Sequence, residues 1–197
     1  MRLYLIRHGE TVIGPDRLYP RGAGLTRRGA AQARSIAGAL CGLDIDLIVT
    51  SSLRRAYETA RPLVRATGAR PLVMPSLNEI YVGSLWDAPA EAIQEVFDSG
   101  WRPDFVRFGG EDASQFEARI TGAFQHLVQT ARKYDATSVA VFTHGGTINT
   151  VIDHIHGRPF TRDFSAAPNG SISLVQLEDG RPEVAYAFDV GHLAGGS

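Results

Sequence analysis

Two short apolar runs, Leu3 to Ile6 and Ser138 to Phe142, constrain this chain most, because each ends in a histidine followed directly by glycine. Runs this short and this continuous suit strands buried on both faces, as in a parallel sheet. Open sheets of that kind bind ligands outside the carboxyl ends of their strands. Arg7-His8-Gly9 and Thr143-His144-Gly145-Gly146 therefore fall at the edge where chemistry is expected, and neighbouring strands would bring the two histidines together.

Between and beyond these runs, strand and helix patterns alternate. Thr26 is expected to cap a helix with apolar positions Ala33, Ile36, Ala37 and Leu40. Ile45 to Val49 reads as the next strand. Ser51-Ser52 is expected to cap a helix with the face Leu53, Ala56, Ala60, Leu63 and Val64, which Pro62 should kink or break. A third strand is expected at Leu72 to Met74. The stretch from Leu77 to Asp112 is irregular and reads as an excursion holding one helix near Ala90 to Phe97. Phe116, Ile120, Ala123, Phe124, Leu127, Val128 and Ala131 mark a long helix. Ile148, Val151, Ile152 and Ile155 line another after His144, and two late strands are expected at Ser171 to Leu177 and Glu183 to Phe188. The alternation predicts an α/β fold, a three-layer α/β/α sandwich with a mostly parallel central sheet, in one domain spanning 1–197.

Composition narrows the function. The chain has 197 residues with 20 Lys plus Arg against 21 Asp plus Glu, a net charge of −1. Such a balance supplies no global field for a polyanion, so neither nucleic acid nor a membrane surface is expected as partner. Lys133 is the only lysine, which leaves arginine to carry the positive charge, and guanidinium is the side chain best shaped to pair with phosphate or carboxylate oxygens. Cys41 is alone, so neither an internal disulfide nor a cysteine metal site is expected. No stretch reads as a signal peptide or membrane span, which makes the cytoplasm the expected compartment.

Paired imidazoles at a strand edge suit phosphorus chemistry: one neutral ring attacks and the other donates to the phosphoryl oxygens. Glycines beside them let backbone approach an anion, and the helix after His144 would present N–H groups. The run Leu5-Ile6-Arg7-His8-Gly9-Glu10-Thr11 resembles the signature of the histidine phosphatase superfamily, which includes the cofactor-dependent phosphoglycerate mutases. Further segments resemble that family's motifs in its order: Leu25-Thr26 with Gly29 and Gln32-Ala33; Ser52-Leu53 with Arg55-Ala56 and Thr59-Ala60; Leu77 with Glu79 and Gly83; and Phe142 to Gly146. The resemblance implies a phosphoglycerate mutase-like fold, with the excursion at 77–112 roofing the active site. It implies that His8 is the nucleophile, forming a phosphohistidine, that Arg7, Arg55 and His144 hold the phosphoryl oxygens beside the Gly145 backbone, and that Glu79 is the proton donor. Two guanidinium groups and an imidazolium would then balance the charge, with no metal and no cofactor for hydrolysis.

Where many members carry a phosphate-binding asparagine, this chain has Gly14, and the resemblance leaves Thr11, Arg21 or the Gly22 to Gly24 backbone as substitutes. Glu91 and Glu111 compete with Glu79 for the acid's role. Asp153, His154 and His156 read as an exposed helix end rather than a metal site. Trp86, Trp101, Tyr81, Phe97, Phe105 and Phe108 suit either a substrate pocket or packing of the excursion, while Arg102 and Arg107 suit a second acidic group on the substrate or open solvent. The function expected is hydrolysis of a small phosphorylated metabolite. Mutase-type phosphoryl transfer and a non-catalytic phospho-ligand module are the alternatives, and a homodimer stays among the options.

Overall fold

A computed structural model of the chain describes residues 1–12, 22–98, 105–158 and 167–194. Its elements are β1 (Arg2–Arg7), α1 (Arg27–Leu40), β2 (Leu47–Thr50), α2 (Arg54–Thr67), β3 (Leu72–Val73), α3 (Ala90–Asp98), α4 (Ala113–Lys133), β4 (Ser138–Thr143), α5 (Gly145–Ile155), β5 (Ile172–Glu178) and β6 (Arg181–Asp189). They build one six-stranded sheet in the order β3-β2-β4-β1-β5-β6. The pairs β3·β2, β2·β4 and β4·β1 are parallel, whereas β5 and β6 join antiparallel at the far edge.

The pleat divides the core in two. Leu3, Leu5, Val49, Val139 and Val141 point to the face covered by α4, α5 and the excursion. Tyr4, Ile6, Ile48, Ala140 and Phe142 point to the face covered by α1 and α2. Continuous apolar runs in β1 and β4 thus follow from burial on both sides, and the three-layer architecture matches the alternation of the sequence.

Thr26 caps α1 by accepting from the Gly29 N–H at 3.0 Å. The start of this helix lies hard against the segment after β1: a Cβ on Gly29 would stand 1.9 Å from the Glu10 carbonyl oxygen, and one on Gly9 would stand 2.6 Å from the Gly29 oxygen. Backbone contact this close admits only glycine.

Three local expectations change. Leu53 precedes α2 with no side-chain cap, because Ser51 and Ser52 engage other groups: Ser51 Oγ lies 2.8 Å from His144 Nε2, and Ser52 Oγ donates to Asn78 Oδ1. Pro62 does not end α2, which runs through it to Thr67. A proline inside a helix costs about 3 kcal/mol, and burial of Ala56, Ala60 and Leu63 on the sheet offsets it here. Asp153 is buried rather than part of an exposed end, with Oδ1 3.4 Å from Arg158 Nη2, while His154 and His156 are exposed.

In the excursion, Ile80, Val82, Leu85, Ile93, Val96 and Phe105 enter the core. Trp86 and Phe108 pack against it, so these aromatic residues serve packing. Tyr81 remains exposed with its ring edge-on to Trp86 at 5.5 Å, and the exposed Arg107 lies over the Phe108 ring. Trp101 and Arg102, and the side chain of Phe97, lie outside the described residues. No helix among the described residues is long and apolar enough to cross a membrane.

Gly29→Ala is expected to destabilise the protein by about 2–3 kcal/mol through the clash with Glu10. Urea unfolding of the variant beside Gly38→Ala, where a Cβ meets nothing within 4 Å, checks it, since only the first should shift the midpoint strongly.

Candidate active site

Parallel pairing of β1 with β4 sets the site's register. Arg7 stands opposite Thr143, so His8 and His144 leave adjacent strands at the same level. The His8 N–H donates to the Thr143 carbonyl at 3.0 Å, and the two rings sit 5.3 Å apart, tilted by 57°. Both histidines are buried, at 1% and 0% exposure, as is Arg55 at 2% from the first turn of α2.

The backbone fixes the tautomer of His8. Its Nδ1 lies 2.8 Å from the Gly9 carbonyl oxygen, which can only accept, so Nδ1 carries the proton and Nε2 carries the lone pair. The surrounding main chain is tied down as well. Gly9 N–H donates to Thr59 Oγ1, which donates to the Arg55 carbonyl, linking the nucleophile candidate to the turn that carries Arg55. The His8 carbonyl accepts from the Gly170 N–H and from Asn169 Nδ2, and Arg7 donates to the Ala167 carbonyl.

His144 ends β4 and precedes α5. Its Nε2 meets Ser51 Oγ, while its buried Nδ1 has no hydrogen-bond partner among the described residues. Glu79 approaches from the other side of this turn: Oε2 accepts from the Gly146 N–H at 2.9 Å and Oε1 from the Ile80 N–H at 3.1 Å. Its carboxyl group is thus held at the N-terminal end of α5. The segment before it is pinned by Thr143 and Thr147, whose hydroxyls donate to the carbonyls of Leu77 and Asn78.

Electrostatics set the protonation of both rings. Burial above all, then Arg55 and Arg7, hold His8 well below 6.5, against the raising effect of the Gly9 carbonyl. Burial, then Arg55, His8, Arg7 and Arg119 do the same to His144. Both imidazoles are therefore neutral near pH 7. For His8 this is what a nucleophile needs. For His144, taking a charge out of water beside two guanidinium groups is costly without an added anion.

Six of the eight expected site residues come together here: Arg7, His8, Arg55, Glu79, His144 and Gly145. Gly145 opens α5 beside the others, with its N–H in the first helical turn, which has no intrahelical acceptor. Thr11 behaves differently. It bridges to Leu25, and its hydroxyl donates to the Gly24 carbonyl, closing a loop. Arg21 and Gly14 lie outside the described residues. Glu91 is exposed on α3 and Glu111 is paired with Arg119, which leaves Glu79 as the acid among the three that borders the histidines. Ser51, Asn169 and Arg119 escaped the sequence reading. Ser51 looked like a helix cap and Asn169 sits in a turn without periodicity, but Arg119 falls one turn after Phe116 and before Ala123, at the edge of the buried stripe of α4.

A neutral, oriented imidazole flanked by two guanidinium groups, a second imidazole and a carboxylate defines a phosphoryl-transfer site of the histidine type. The chain belongs to the histidine phosphatase superfamily (branch 1), whose model matches residues 3–190. Among curated relatives, it is 31% identical over 168 residues to the adenosylcobalamin/alpha-ribazole phosphatase of Escherichia coli K12, covering 81% of each chain. It is 30% identical to the metal-independent phosphoserine phosphatase of Arabidopsis thaliana, over 98% of this chain and 83% of that one. The crystal structure described as a putative alpha-ribazole-5'-P phosphatase from E. coli superposes with a TM-score of 0.78 at 26% identity, over 96% of this chain and 97% of the other. The activity of this chain is accordingly phosphate monoester hydrolysis.

The histidines also give stability a pH dependence. Their folded values lie below 6.5, so between those values and 6.5 the unfolded chain binds more protons than the folded one. Stability from these groups is present above 6.5 and falls as pH drops through that window. Unfolding midpoints measured from about pH 7.5 down to about pH 5 should decline, and a His8→Asn, His144→Asn double variant should show a shallower decline.

Proposed function

We propose that the whole chain, 1–197, is one catalytic domain that hydrolyses a small phosphorylated metabolite through a phosphohistidine on His8. The observation carrying this reading is the Nδ1 contact to the Gly9 carbonyl, because it leaves the lone pair on Nε2, the atom that must attack. Arg7 and Arg55 supply paired donors and positive charge for the phosphoryl oxygens, and His144 and the Gly145 N–H add further donors. The buried Nδ1 of His144, without a hydrogen-bond partner among the described residues, supports this role, since a buried polar atom of that kind calls for a partner.

In the first step a bond forms between Nε2 and phosphorus, the ester P–O bond breaks, and Glu79 gives a proton to the departing oxygen. In the second, Glu79 takes a proton from water, the water oxygen bonds to phosphorus, and the Nε2–P bond breaks to release inorganic phosphate. Transfer of this kind needs positioning and charge compensation more than covalent help, so the residues named suffice without metal or cofactor. The guanidinium groups of half-buried Arg7 and buried Arg55 suit one phosphoryl group, in keeping with a small substrate and with the net charge of −1.

Two outcomes test the proposal. His8→Ala should lower kcat on p-nitrophenyl phosphate by roughly 10³-fold or more, as expected when a covalent nucleophile is lost, and should abolish the acid-labile phosphoenzyme seen by rapid quench. Unchanged hydrolysis would reject the mechanism. On 3-phosphoglycerate with a trace of bisphosphoglycerate, phosphate release is expected, and rapid isomerisation without it would establish a mutase. Phosphate release from α-ribazole phosphate, phosphoserine, phosphoglycerates and sugar phosphates identifies the preferred ester.

A further inference from the structure

Arg119 and Glu111 stand outside the catalytic set, yet their side chains converge on the segment that delivers Glu79. Arg119 projects from α4 and uses both ends of its guanidinium. Nη1 donates to the carbonyls of Ser76 and Asn78 at 2.8 and 3.0 Å, and Nη2 reaches the Glu79 carbonyl at 3.4 Å. Nε and Nη2 also form a fork on Glu111, at 2.6 and 2.7 Å. Glu111 completes the clamp from the far end of the excursion, because its Oε2 accepts the Tyr81 N–H at 2.8 Å and its main chain pairs with the Tyr81 carbonyl. The acid therefore sits between residues 78 and 81, both gripped by one ion pair.

The placement of that pair argues for a function beyond packing. Arg119 and Glu111 are only 25% and 17% exposed at the side chain, and an ion pair so withdrawn from water gives little net stability relative to apolar residues of the same volume. A forked guanidinium does what no apolar group can: it ties the carbonyls of Ser76, Asn78 and Glu79 to one plane of donors, which sets the direction in which the Glu79 side chain leaves the backbone. Arg119 also lies close enough to the site for its charge to bear on His144.

We propose that Arg119, held by Glu111, is a positioning residue for the general acid Glu79, required in proportion to how much protonation the leaving group needs. The inference rests on Glu79 being the acid, and a leaving-group series separates the two claims. Esters running from 2,4-dinitrophenyl through p-nitrophenyl and phenyl to alkyl phosphates demand progressively more protonation of the departing oxygen. Glu79→Gln should lose activity steeply along this series, and Arg119→Met should follow it, with kcat on alkyl phosphates down by roughly ten- to a hundredfold, within the range general acids contribute. On 2,4-dinitrophenyl phosphate the same variant should stay within about threefold of the parent protein. Combining Arg119→Met with Glu79→Gln should cost nothing further on alkyl esters. Glu111→Gln, which keeps size and polarity, should show a weaker form of the same selectivity, and stands in should Arg119→Met fail to fold. Equal loss on every ester in Arg119→Met and Glu111→Gln, with steep loss in Glu79→Gln, would overturn the positioning role alone. Equal loss on every ester in Glu79→Gln would overturn the acid assignment and the positioning role with it.

Discussion

The site depends first on one strand pairing. Because β1 and β4 lie parallel and in register from Arg2 opposite Ser138 to Arg7 opposite Thr143, the chain leaves both strands at the same height, and a single N–H from His8 to the Thr143 carbonyl continues the ladder one step further. Sliding that register by one residue would turn Leu3, Leu5, Val139 and Val141 away from the core they share. The position of the histidines is therefore enforced by the burial of residues far from them, and the ring separation of 5.3 Å is a consequence of sheet geometry.

Charge follows from the same burial. Arg7 and Arg55 bring positive charge to the strand edge, and with little water to screen it the two imidazoles stay neutral. On the proposed function, an arriving phosphate dianion would offset the guanidinium charge. The chain needs no overall positive charge for this, only two arginines whose side chains a folded scaffold keeps in place.

Much of this was legible in the sequence, for identifiable reasons. Apolar runs buried on both faces have only one reading, so β1 and β4 and the histidines at their tips were accessible from pattern alone. The stripe from Phe116 to Ala131 announced α4 in the same way. What escaped depends on contacts between segments distant in the chain. Ser51 looks like a helix cap until His144 is beside it, and Pro62 looks like a helix breaker until the burial of Leu63 is counted. Arg119 is a charged residue on a helix, a class usually exposed, and the distant carbonyls of Ser76 and Asn78 draw it inward.

The central claim is that phosphorus is transferred twice, first to His8 Nε2 and then to water. Stereochemistry at phosphorus tests this most directly. Each in-line displacement inverts the centre, so hydrolysis in isotopically labelled water of a thiophosphate ester made chiral with oxygen isotopes, with the configuration of the product thiophosphate analysed by ³¹P NMR, should show net retention. Net inversion would mean that water attacks the ester directly, and would contradict the phosphohistidine account.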